Sequence, residues 1–171
     1  MWNTLRDRYS LPYSIEELMA REKNAFFREV ESRACLTPVA GVEGLLDILH
    51  EKDIAVGLAS SSAGKNIRLV LEKSGLKRFF QVVVSGEAAA TGKPAPDIFL
   101  KAAQALGSSP DRCLVIEDSH NGVTAAKAAG MVCVGFRNPN SGHQDIQAAD
   151  LIIDAFCPET TRHILDLVLA R

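Results

Sequence analysis

No apolar run in this 171-residue chain approaches the roughly 20 residues that a membrane-spanning helix needs. The longest, over residues 54–59 and 131–136, are strand-length. The opening residues, Met1-Trp2-Asn3-Thr4-Leu5-Arg6-Asp7, lack a charged stretch followed by an apolar one, so they do not read as a signal peptide. Lys and Arg nowhere cluster, and a net charge of −2 offers no basic field to a nucleic-acid backbone. The four cysteines (Cys35, Cys113, Cys133 and Cys157) are scattered, with no Cys-x-x-Cys pair, and the four histidines show no zinc-ligand spacing. We read the cysteines as reduced thiols of a cytoplasmic protein, used as small apolar side chains. There is no internal repeat and no low-complexity segment.

The remaining composition, 47% hydrophobic and 23% charged, is that of an ordinary globular domain. The length suffices for one domain with a core and a small appendage. The chain changes character near residue 36. Before it, Ser14 and Glu17 form a Ser-x-x-Glu capping box, and Ile15, Leu18, Met19, Phe26 and Val30 follow at helical spacing to about residue 34. A linker with Pro38 and Gly41 comes next. From residue 42 onward helical patterns alternate with short apolar strands. Strands are expected at residues 54–59, 81–85, 113–117, 131–136 and 151–153. Helices are expected from residue 42, around residues 67–71 with a stop at Gly75, over 97–106 and 121–129, and from Pro158. Continuously apolar strands separated by helices indicate an α/β fold, a parallel sheet covered on both faces. Ligands of such sheets bind beyond the carboxyl ends of the strands.

Three strand ends carry residues with chemistry. Glu117-Asp118 closes the run Leu114-Val115-Ile116, where two adjacent carboxylates would repel and lose solvation unless a hard cation such as magnesium joined them. The plainer alternative is that Asp118 caps the next helix and Glu117 is solvated. Lys93 stands between Gly92 and Pro94 in Thr91-Gly92-Lys93-Pro94-Ala95-Pro96-Asp97, and Pro96 suits the first position of a helix. A rigidly held ammonium there would neutralise phosphate charge, although a solvated turn lysine is the common case. Ser60-Ser61-Ser62 lies between a strand and a helix, where hydroxyls and backbone N–H groups make an anion site or, more simply, a helix cap.

In this order (strand-Ser, Gly-Lys-Pro, strand-Glu-Asp-Ser-x-x-Gly), the residues resemble the second, third and fourth motifs of the haloacid dehalogenase superfamily. Ile116-Glu117-Asp118-Ser119-His120-Asn121-Gly122, followed by Ala125-Ala126 and Ala129-Gly130-Met131, is similar to the β-phosphoglucomutase-like branch. The resemblance implies a three-layer Rossmann-like core over residues 37–171 and the remnant of a helical cap over residues 1–36. It implies phosphoryl transfer on a small phosphorylated metabolite with Mg2+ as cofactor. Ser60, helped by Ser61 and Ser62, would hydrogen-bond the phosphoryl group. Lys93 would steady the nucleophile and phosphate charge. Asp118 would ligate the metal, with Glu117 ligating directly or holding a metal-bound water.

One departure is decisive. The family's first strand ends in Asp-x-Asp-Gly-Thr, whose first Asp attacks phosphorus and whose second is the general acid and base. No Asp-x-Asp occurs in these 171 residues. The resemblance therefore implies an N-terminally truncated chain, missing the central first strand and inactive alone. It would have the strands ending at Ser60 and Glu117 either paired with each other or left with open edges that invite self-association. The alternative is a degenerate, non-catalytic module that binds a phosphorylated ligand or a protein. A receiver-type signalling domain is disfavoured, because there the acidic pair precedes the lysine. No nucleic-acid or membrane partner is expected.

Overall fold

The computed structural model describes residues 2–170, which divide into two compact units, one ending at Leu36 and one beginning at Thr37. The first unit is a helical pair, α1 (Trp2–Tyr9) and α2 (Ile15–Ser32). The capping box is formed in both directions. Glu17 N donates to Ser14 Oγ at 3.1 Å, and Ser14 N donates to Glu17 Oε2 at 2.8 Å, satisfying two N–H groups that an uncapped helix start leaves open.

The second unit alternates helices and strands: α3 (Val42–Glu51), β1 (Gly57–Ser60), α4 (Gly64–Ser74), β2 (Val82–Ser85), α5 (Asp97–Ala105), β3 (Leu114–Glu117), α6 (His120–Ala128), β4 (Val132–Phe136), β5 (Leu151–Ile153) and α7 (Pro158–Leu169). Gly75 ends α4 at φ 71°, a left-handed conformation that costs glycine nothing. Most boundaries fall within two residues of the sequence reading, and two differences have a clear physical reason. β1 begins at Gly57 rather than near residue 54, because the Val56 N–H is taken by the Gln81 side chain at 2.7 Å instead of a neighbouring strand. Pro96 is the cap residue before α5 rather than its first helical residue, and its carbonyl accepts from Phe99 and Leu100.

All strand pairs are parallel, in two sheets of order β1-β2 and β3-β4-β5. The layers follow from the pleat of β4. Cys133 packs into a cluster with Ile98, Phe99 and Ala103 of α5 and with Val123 and Ala126 of α6. Val134 and Phe136 point the other way, into a cluster with Leu45 and Leu49 of α3 and Ile164 of α7. Two helical layers thus cover opposite faces of a parallel sheet. Val84 of β2 and Val115 of β3 share the first cluster, so one apolar layer underlies both sheets.

No ladder joins β1 to β3 among the described residues. The burial of the strands records this. β4, with a neighbour on each side, is buried at every position, whereas no residue of β1 is buried. Ile116, in the interior of β3, is 37% exposed. A strand hydrogen-bonded on one edge keeps the N–H and C=O groups of its other edge unpaired.

Candidate active site

The site residues lie where the chain leaves its parallel strands. Ser60 is the last residue of β1, and its Oγ accepts from Ser62 N at 3.2 Å, folding the serine loop back on itself. The serines do not cap α4. Its cap position is Ala63, with no side-chain bond, and the Gly64 N–H donates instead to Glu87 Oε2 at 3.0 Å. Gly86 N donates to the Ser62 carbonyl at 3.2 Å, and a Cβ on Gly86 would fall 2.5 Å from the Ser61 carbonyl oxygen. The turn after β2 therefore braces the serine loop, and only glycine allows the approach. This contact of Ser85-Gly86-Glu87 with the serine loop, more than 20 residues away, has no signal in the sequence.

At the end of β3, Glu117 turns back over the start of α6. Its Oε2 accepts from Ser119 Oγ at 3.0 Å, Asp118 N at 3.2 Å and Ser119 N at 3.3 Å. Its Oε1 pairs with Lys93 Nζ, and both side chains are almost covered, at 10% and 11% exposure. The ammonium also lies 4.6 Å from the centre of the Phe99 ring, within cation–π range. Lys93 follows β2 and Glu117 ends β3, so this ion pair links the two sheets. Ser119, not Asp118, caps α6, accepting from Gly122 N at 3.0 Å.

Asp118 is left for another role. Its Oδ2 accepts from Asn138 Nδ2 at 2.7 Å and from Ser141 Oγ at 2.5 Å. Neither residue stood out in the sequence, because they lie 20 and 23 positions away on a loop without periodicity. A cleft of about 240 Å3 opens beside the pair. Val39, Val42, Ile116, Phe136 and Phe156 make its apolar wall, and Glu117, Asp118 and Asn138 its polar one. A larger cavity of about 420 Å3 lies between α4 and β2, lined by Gly64, Arg68 and Lys77 among others, and touches neither carboxylate.

The donor chemistry bears on magnesium, which is held through one or two carboxylates together with water and substrate oxygens. Asp118 fits, with Oδ2 hydrogen-bonded and Oδ1 available. Both oxygens of Glu117 are committed to protein donors. Among the described residues no group of three or more His, Cys, Asp or Glu side chains is placed to hold a metal. The carboxylates at this site are thus two. One further atom is unusual: the buried Asn66 Oδ1, near the start of α4, has no hydrogen-bond partner.

No helix of the described residues is long and apolar enough to cross a membrane. The model of the haloacid dehalogenase-like hydrolases matches residues 5–130. The chain is 39% identical over 141 residues to a β-phosphoglucomutase of Bacillus subtilis, covering 81% of this chain and 58% of that protein. It is 36% identical over 119 residues to the fructose-1-phosphate phosphatase YqaB of Escherichia coli, covering 70% and 62%. Among solved structures, the β-phosphoglucomutase of Clostridium difficile superposes with a TM-score of 0.75 at 28% identity, over 99% of this chain and 75% of that one. The 171 residues therefore span less than two-thirds of the length of these curated relatives. A family model over most of the chain and relatives well above 30% identity agree: the chain belongs to the haloacid dehalogenase-like hydrolases.

Proposed function

We propose that these residues form the phosphate- and metal-binding part of a phosphatase or phosphomutase acting on a small phosphorylated metabolite. The observation that carries the reading is the position of Ser60–Ser62 and Asp118 at the carboxyl ends of parallel strands, with Lys93, from the loop between β2 and α5, tied directly to the acidic strand end. In this reading the hydroxyls of the serine loop before α4 bind the phosphoryl oxygens. Lys93 lowers the cost of bringing an anion beside Glu117 and Asp118. Asp118 holds Mg2+, which when bound supplies positive charge to the transferring group. Glu117 fixes the Lys93 ammonium.

The attacking aspartate and the general acid–base then come from a strand that is not among these residues, set between β1 and β3. The half-covered β1, the exposed Ile116 and the apolar wall of the cleft support that placement. Without such a strand the open edges favour self-association.

Two measurements test the reading. The purified chain should bind inorganic phosphate in the presence of Mg2+, and Asp118→Asn and Lys93→Ala should each weaken binding about tenfold or more. It should show no turnover of p-nitrophenyl phosphate. Hydrolysis abolished by Asp118→Asn would refute the absent nucleophile, and no phosphate binding would refute the site. A second reading, a non-catalytic module that binds a phosphorylated ligand, is favoured by the lack of any Asp-x-Asp. Retained binding without turnover, even in a longer form of the protein, would select it.

A further inference from the structure

The loop that follows β4 does more than connect it to β5. Asn138 folds into a tight turn in which its Oδ1 accepts from Asn140 N at 3.0 Å and its carbonyl accepts from Ser141 N at 3.1 Å. With Oδ1 committed inside the loop, the amide plane directs Nδ2 outward, and it meets Asp118 Oδ2 at 2.7 Å. The same turn brings Ser141 Oγ to that oxygen at 2.5 Å. The loop is itself pinned to the start of α6. Gln144 Nε2 donates to the Ser141 carbonyl at 3.0 Å, and Gln144 Oε1 accepts from His120 N at 3.2 Å. His120 Nδ1 lies 2.9 Å from the Asp145 carbonyl.

Both neutral donors therefore converge on one carboxylate oxygen and leave the other. A carboxylate free to rotate spends its time among many orientations. One held at Oδ2 by two donors presents Oδ1 in a fixed direction, which suits a single metal–oxygen bond. Were the loop needed only to cover α6, the Gln144 and His120 bonds would do so without reaching Asp118.

We propose that Asn138 and Ser141 are positioning residues that set Asp118 Oδ1 for monodentate binding of a divalent cation. This rests on the reading of Asp118 as the metal ligand given above. Loss of outer hydrogen bonds to metal ligands commonly lowers affinity about 10- to 100-fold.

The test titrates the full chain with Mn2+, following the free ion by electron paramagnetic resonance, with thermal melting of each variant recorded alongside. Asn138→Ala and Ser141→Ala should each weaken Mn2+ binding about tenfold or more. Ser141→Thr, which keeps the hydroxyl, should restore it, and His143→Ala on the same loop should leave it unchanged. Should an alanine variant melt before it can be titrated, Asn138→Leu, which removes the donor at similar volume without adding a metal-binding oxygen, supplies the comparison and should weaken binding about tenfold. Wild-type binding with both alanine variants within twofold of it overturns the proposal. Failure of wild type to bind Mn2+ better than Asp118→Asn overturns the metal reading itself, a distinct result.

Discussion

The Glu117 carboxylate occupies the space that a side chain on residue 122 would need, so a Cβ built on Gly122 lands within it. Gly122 is on the first turn of α6, and its N–H is also the one that Ser119 caps. The glycine thus has a packing reason: it lets the carboxylate lie against the helix start while still reaching Lys93. Gly122→Ala should displace Glu117 and destabilise the fold by about 1–3 kcal/mol, the usual range for forcing atoms into filled space. Gly44, on α3 with nothing near its would-be Cβ, is the control. Gly44→Ala should stabilise by about 0.5–1 kcal/mol through helix propensity. Urea unfolding of both variants decides it, and equal midpoints would refute the steric account.

The Lys93–Glu117 pair is nearly dry, so removing one partner strands the other charge. Lys93→Met and Glu117→Gln should each cost about 3 kcal/mol, and the double variant should cost clearly less than their sum. Strict additivity in a double-mutant cycle would show that the two groups do not depend on each other for stability.

Cys133, wholly buried in the middle of β4, has its thiol pushed up from 9.0 to about 12, chiefly by burial and secondly by the negative charges of Glu117 and Asp150. The neutral thiol is thus favoured by folding. That contribution is complete below the unfolded value near 9 and is lost as pH rises toward 12. Stability should fall between pH 9 and 11, and the slope should flatten in Cys133→Ala. In the native chain Ellman's reagent should label the exposed Cys35 and spare Cys133 until the protein is unfolded. Labelling of Cys133 at native rates would contradict the packing of β4.

Asn66 Oδ1 is buried without a donor, an arrangement that costs about 1–3 kcal/mol. Asn66→Leu, of similar size, should raise the melting temperature. A lower melting temperature would mean that the oxygen is satisfied in solution.

What could be read from the sequence was whatever local chemistry dictates. Ser14 and Glu17 are three residues apart and close their own box, Gly75 stops α4, and the apolar run over residues 131–136 could only be an interior strand. Motif residues at strand ends were legible for the same reason, since a serine, a lysine or an acidic pair after an apolar run marks a fixed place in such a sheet. The partners of those residues were not. Asn138 and Ser141 reach Asp118 across a loop, Glu87 takes the N–H that the simpler reading of the serines as a helix cap would have given them, and Glu117 turns away from solvent because Gly122 makes room. The Asn138, Ser141 and Glu87 contacts join segments 20 or more residues apart, and the fit of Glu117 against Gly122 depends on which way a side chain turns after its strand ends; neither periodicity nor capping rules signal either.

The division into two sheets gives this molecule an inverted pattern of amide protection. β4 gives the cleft only the Phe136 ring, has a strand on either side and is sealed at every position, so its amides should be among the last to exchange with deuterium. β1 and β3, which end in Ser60 and Glu117, each have one edge without a ladder, and opening either takes fewer hydrogen bonds. The strands that carry the chemistry are thus among those held along one edge only, so their solvent exchange will report, amide by amide, the arrival of anything that pairs with them.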